Sequence, residues 1–96
     1  MELKQTIDLM CSKDYKERFI AEYWQTKIRY EKLKHLNNVI EAADHTQYME
    51  RSIVEPAHDC PVYLLHKQQE VMGEYLHILE VRAVIEEINL EEVNNG

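Results

Sequence analysis

Apolar residues recur at spacings of three and four along two long stretches of this chain, with polar residues between them. In residues 15 to about 43 the repeat runs Phe19, Tyr23, Thr26, Tyr30, Leu33, Leu36 and Ile40, with Ile20, Trp24 and Ile28 on a flanking face. This period predicts an amphipathic helix, about 40 Å long at 1.5 Å per residue. A second helix is predicted from residue 60 to about Asn89 or Val93. Leu65, Met72, Tyr75, Leu76, Leu79 and Ala83 form one stripe on it, and Val71, Ile78, Val81, Ile85 and Ile88 spread over a second face. A helix that is apolar on more than one face needs more than one neighbour to cover it. The chain has only one other long helix, so the pattern predicts partner chains.

The flanking segments complete the outline. Residues 3–10 read as a short helix with Leu3, Ile7 and Met10 on one side. Ser12 or Asp14 starts the first long helix, and Asp14 and Glu17 have capping-box spacing. Residues 44–59 break the period and contain Pro56, which predicts a connection with a helical turn near 47–53. Pro61 suits the first turn of the second helix, with Asp59 or Cys60 as its cap. Asn94, Asn95 and Gly96 read as a frayed end. The expected fold is all-α and a single domain over residues 1–96. It is a long antiparallel helical hairpin with a short N-terminal helix, assembling as a dimer or tetramer into an oligomeric bundle.

Composition narrows the function classes. Two Gly and two Pro in 96 residues leave little room for a phosphate-cradling loop. A net charge of −7 argues against DNA or RNA binding, which draws on a basic stripe, and against anionic membranes. Cys11 and Cys60 are too few for a disulfide framework and are read as reduced thiols in a cytosolic protein. Met1 is followed by a charged and polar start, with no apolar leader, and no apolar run approaches a membrane span.

Three groups of residues carry possible chemistry. His58, Asp59, Cys60 and His66 are metal-ligand types, but their spacing lacks the paired pattern of zinc sites, so no metal or other cofactor is expected. Cys60 at a helix start has a lowered thiol pKa in principle, yet it reads better as a cap beside Pro61. No nucleophile–base pattern is visible, and no enzyme activity is expected. The third group interleaves Tyr23, Trp24 and Tyr30 with Arg18, Lys27 and Arg29. Aromatic rings stack on bases and cations meet phosphates. Periodicity alone favours the other reading, in which the rings are core and the cations pair with Glu17, Glu22 and Glu31. Gln68 and Arg82 interrupt the seam of Leu65, Met72, Tyr75 and Leu79. Such residues set register or line a pocket between helices.

Three segments resemble a family of small phage and prophage proteins first named from crAss-like phages. They are TIDLMCSKDYKERF (6–19), AEYWQTKIRYEKL (21–33) and CPVYLLHKQQEVMGEYLHILEVRAVIEEI (60–88), more than half of the chain. The connection at 44–59 departs from the short Gly- and Thr-containing turn of that family. The resemblance implies a phage accessory protein in the cytoplasm of the infected bacterium. In kind, the chain is also similar to the nucleotide sponges of phages, of the anti-CBASS and anti-Thoeris types, which hold a host immune signal without cleaving it. On that expectation Arg18, Lys27, Arg29 and Arg82 meet phosphates of a cyclic nucleotide. Tyr23, Tyr30 and Tyr75 stack on its bases, and Gln68 bonds a base edge. The competing expectation is a protein-interaction module that docks on a host protein or aids phage assembly, with the acidic Glu86, Glu87, Glu91 and Glu92 meeting a basic partner.

Overall fold

A computed structural model describes residues 1–91, and all of its regular structure is helical. A 3-10 turn, Leu3–Gln5, runs into α1 (Thr6–Met10), followed by α2 (Tyr15–Thr46) and α3 (Val62–Ile85). The 32 residues of α2 span about 48 Å at the helical rise, and they account for most of the molecule's 53 Å length.

Asp14 caps α2, its Oδ1 accepting from the Lys16 amide at 3.0 Å. The capping box stays half formed. Glu17 takes a hydrogen bond from the Ser12 hydroxyl at 3.2 Å, and that hydroxyl accepts from the Asp14 amide at 3.0 Å. The bend before α2 is thus held by Ser12 and Asp14 together, which satisfies donors the helix leaves open.

α3 begins at Val62, two residues after the predicted start at 60. A residue before proline avoids the α region, which keeps Cys60 out of the helix, and Pro61 itself is extended at ψ 142°. Pro61 is therefore the cap, in place of Asp59 or Cys60, and its carbonyl accepts from the amides of Leu64 and Leu65. The far end is a larger correction, because α3 stops at Ile85. The Ile88 amide reaches back to the Ala83 carbonyl at 2.8 Å and the Glu87 amide to that of Val84 at 3.4 Å, a Schellman ending. Glu87 takes the left-handed conformation, φ 56°, where glycine is usual. The turn returns Ile88 to the core, where it is buried, and that burial offsets the strain. Val93, Asn94, Asn95 and Gly96, and the acidic Glu92, lie outside the described residues.

Contacts between α2 and α3 advance in opposite directions along the two helices. Tyr15 meets Glu86, Tyr23 meets Glu80, Tyr30 lies over Gly73, and Asn37 meets Leu65 and Gln69. A Cβ at Gly73 would stand 3.4 Å from the Tyr30 ring, so the missing side chain lets the ring lie close on α3. The core consists of Phe19, Tyr23, Leu76, Leu79, Ala83 and Ile88, with Ile20, Trp24, Tyr30 and Leu90 packed against it. Trp24 donates from Nε1 to the Leu90 carbonyl at 3.0 Å. Asn37, inside the α2–α3 interface, donates to the Leu65 carbonyl and to Gln69 Oε1, while its own Oδ1 is buried without a partner.

α1 lies across α2 through one fully buried hydroxyl. Thr6 Oγ1 donates to the Leu3 carbonyl at 2.6 Å and accepts from Gln25 Nε2 at 3.0 Å. No helix forms at 47–53. The Thr46 side chain accepts from the Ile53 amide at 3.0 Å and closes the segment into turns. No helix among the described residues is long and apolar enough to cross a membrane.

Candidate functional site

The three helices leave a cleft of about 460 Å³ where α1 and α3 diverge on one side of α2. Its walls are Met10 from α1, Tyr15, Arg18, Phe19, Glu22 and Gln25 from α2, and Arg82 from α3. Arg18, Glu22 and Gln25 share this wall because they stand four and seven residues apart, one line on a helix. Gln25 is fixed from behind by Thr6 and by Met10 Sδ at 3.4 Å.

Arg82 is held by a closed ring of hydrogen bonds. Its Nε donates to Glu86 Oε2 at 3.0 Å, its Nη2 donates to the Tyr15 hydroxyl at 2.6 Å, and that hydroxyl donates to Glu86 Oε1 at 2.9 Å. The guanidinium carbon also sits 5.0 Å from the centre of the Phe19 ring, within cation–π range. The Tyr15 hydroxyl, ahead of Arg82, holds the Glu86 carboxyl below its ordinary range. Glu86 in turn raises the Tyr15 phenol and the Arg82 guanidinium. Nη1 of Arg82 keeps both protons unpaired among the described residues. Arg18 spends one donor on the Ser12 carbonyl, at 2.8 Å. Two guanidiniums with free donors therefore border one opening floored by aromatic rings, with Glu22 as the opposing charge.

The eight residues singled out in the sequence separate into three groups. Arg18 and Arg82 meet in the cleft. Arg29 lies eleven positions beyond Arg18, about three turns on and on the same line, exposed and unpaired among the described residues. Lys27 is nine positions from Arg18, half a turn out of phase, and pairs with Glu31 at 3.8 Å. Tyr23 and Tyr30 face α3. Tyr23 is buried, edge-on to Trp24, and donates to Glu80 Oε2 at 2.7 Å; burial, ahead of that bond, pushes its phenol far up. Its ring is buried in the core of its own chain. Gln68, Tyr75 and Arg82 stand seven apart on the outer side of α3, and Gln68 lines a separate apolar pocket with Cys60, Leu64, Lys67, Val71 and Met72.

The seam predicted on α3 is therefore two seams. Leu79 is buried and Leu65 and Met72 are half-buried against α2, whereas Gln68, Tyr75 and Arg82 are exposed. Tyr15, Phe19 and Gln25 line the cleft and are not marked as site residues by the sequence pattern. The pair that the i, i+4 spacing of Arg82 and Glu86 allows does form, at 3.0 Å. Among the described residues, no group of three His, Cys, Asp or Glu could hold a metal. His58 is engaged with the Cys60 carbonyl at 2.8 Å and with Glu55 at 3.3 Å, and His66 lines another pocket with Ile40 and Glu41.

A model of the Sequestin family matches residues 13–85. The chain belongs to the Sequestin family. The match runs from just before the Asp14 cap to the last residue of α3, and so takes in both long helices and their connection. All cleft residues but Met10 fall inside the Sequestin segment, while Glu86 stands one position past it. No curated protein and no solved structure matches the chain.

Proposed function

We propose that this protein is phage-encoded and captures a nucleotide signal of host immunity, a cyclic dinucleotide or trinucleotide, in the cytoplasm of the infected bacterium. It holds the ligand and transforms nothing. The working unit is the antiparallel hairpin of α2 and α3, assembled as a homo-oligomer. The observation that carries this reading is the cleft. Arg18 and Arg82 offer free guanidinium donors beside the Tyr15 and Phe19 rings, in a chain whose net charge is −7. Guanidinium groups take phosphate oxygens with geometric fit, and a ring beside them favours a ligand with a flat base. The family name points to sequestration, and the segments similar to phage proteins point to the setting. Arg29, on the same line of α2, extends the basic edge toward a second phosphate.

Calorimetry with a panel of cyclic dinucleotides and trinucleotides tests the reading. Binding at micromolar strength or tighter is expected for at least one member, released unchanged. Arg82→Ala weakens it by about 1.5–3 kcal/mol, the usual worth of hydrogen bonds to a charged group. Heat absent across the panel, or turnover of the ligand, refutes it. A second reading has its own observation. Tyr48, Met49 and Val54 stand exposed along the connection, the kind of apolar display that meets a protein partner. Capture of one host protein that is lost in a Tyr48→Ser/Val54→Ser variant would favour that reading.

A further inference from the structure

The outer face of α3 repeats every seven residues. Leu64, Val71, Ile78 and Ile85 occupy one set of positions and are 45, 49, 54 and 74% exposed. Gln68, Tyr75 and Arg82 occupy the alternate set, four residues after the first three. The spacing of four and three is that of a coiled-coil seam, with all aliphatic residues on one position and all polar-tipped residues on the other. The strip sets four exposed aliphatic side chains in one line, a contiguous apolar display rather than single scattered residues.

From this repeat we infer that a second copy of this chain docks on the outer face of α3, helix against helix and antiparallel. Leu64, Lys67, Gln68 and Val71 stand at i, i+3, i+4 and i+7 around an open apolar pocket, the four-cornered hole that a coiled-coil knob fills. A two-fold axis level with Gly73 brings Ile78 of the second copy onto that hole. The same axis sets its Val71 on the hole of Val71, Glu74, Tyr75 and Ile78, and its Leu64 on the hole of Ile78, Val81, Arg82 and Ile85. One rotation thus gives three aliphatic knobs three holes, which is the self-complementarity an isologous contact requires. Each polar position then faces an aliphatic one, which fixes the register. Arg82 belongs to both the seam and the cleft, so Leu64 of the second copy borders the cleft on its open side. This deepens the oligomer part of the proposed function and does not depend on the nucleotide.

Light scattering on the ligand-free protein at micromolar concentration tests the inference, whatever calorimetry finds. Wild type is expected at twice the chain mass or an even multiple of it. Ile78→Glu is expected to halve that mass with helix content by circular dichroism unchanged. Val71→Gln weakens association more mildly and stands in if I78E loses helix content. Gln68→Lys in the I78E background is expected to restore the dimer, because positions 68 and 78 of opposite copies face each other. A monomeric wild type, or a mass that neither Ile78→Glu nor Val71→Gln changes, overturns the contact. Failure of Gln68→Lys to restore the dimer overturns the antiparallel register.

Discussion

α2, with 32 residues, and α3, with 24, treat their outer surfaces in opposite ways. The only large apolar residue that α2 leaves exposed is Tyr15, whereas α3 leaves Tyr63, Leu64, Val71, Tyr75, Ile78, Val81, Val84 and Ile85 exposed. α2 is enclosed by its own chain, with α3 on one side, α1 on another, and the turn at Ile88 and Leu90 packed over Trp24. α3 has α2 on one side and, among the described residues, no other element packed on the opposite side. The two long helices thus differ in what they present: α2 turns its large apolar residues inward, and α3 buries one face and leaves a second apolar face exposed.

The widest separation between the two surfaces of α3 is expected from a neighbouring pair of residues. Leu79 is 1% exposed, so Leu79→Ala should cost about 2–5 kcal/mol through lost burial and a residual cavity. Ile78→Ala, one position away, should change protomer stability by less than about 0.5 kcal/mol. Urea unfolding at dilute, fixed concentration measures both, and equal losses would erase the distinction between the faces.

Asn37 tests the inner interface next. Asn37→Asp places a carboxylate beside the Leu65 carbonyl and Gln69, where no cation is bonded to position 37 among the described residues, and should cost about 3 kcal/mol at neutral pH. Because burial raises such a carboxyl, the loss should shrink as the solution is acidified. A pH-independent loss would place position 37 in contact with water.

A smaller gain is expected at the end of α3. Glu87→Gly relieves the left-handed backbone at φ 56° and should raise stability by about 0.5–1 kcal/mol. Glu87→Val should lower it, and differential scanning calorimetry separates the two.

The smallest effects are those of pH on surface groups. The Glu86 carboxyl lies below its ordinary 4.5, so its contribution is full above that value and is lost as pH falls through the lower, folded value. His58 is raised above 6.5, first by its bond to the Cys60 carbonyl. Its contribution is full below 6.5 and lost as pH rises through the higher, folded value. Glu86→Gln should flatten the acidic limb of the stability profile and His58→Gln the near-neutral limb, each leaving the other in place.

These contrasts also show how much was readable in advance. The spacing of Phe19, Tyr23 and Ile40 located α2 and its inward face, because a stripe that narrow has one way to be buried. α3 was harder. Leu65, Met72 and Leu79 lie within a sixth of a turn or so of Gln68, Tyr75 and Arg82, and the shape of α2 decides which set turns inward. The end at Ile85 was hidden because Glu87 occupies a position where glycine would have announced the stop. Asn37 sits on the apolar stripe as a polar residue, and only a partner on α3 explains it. The cleft was half legible. Arg18 and Arg82 were singled out, but their meeting depends on the antiparallel register and on α1, neither of which leaves a mark in local spacing. Lys27 was grouped with them by proximity along the chain, where nine residues of helix put it on the opposite side.

The ring of Tyr15, Glu86 and Arg82 makes this a strap with one sewn end and one buckled end. At the sewn end, residues 47–61 tie α2 to α3 through the backbone, which no change of solvent undoes. At the buckled end only side chains join the start of α2 to the finish of α3, and the tongue of that buckle is Arg82, the group that a phosphate would also seek. An anion that takes hold of Arg82 must share it with Glu86 or displace it. If an anion displaced Glu86, the buckle would loosen, and the trace would be faster amide exchange at 15–19 and 82–86 with the sewn end unmoved.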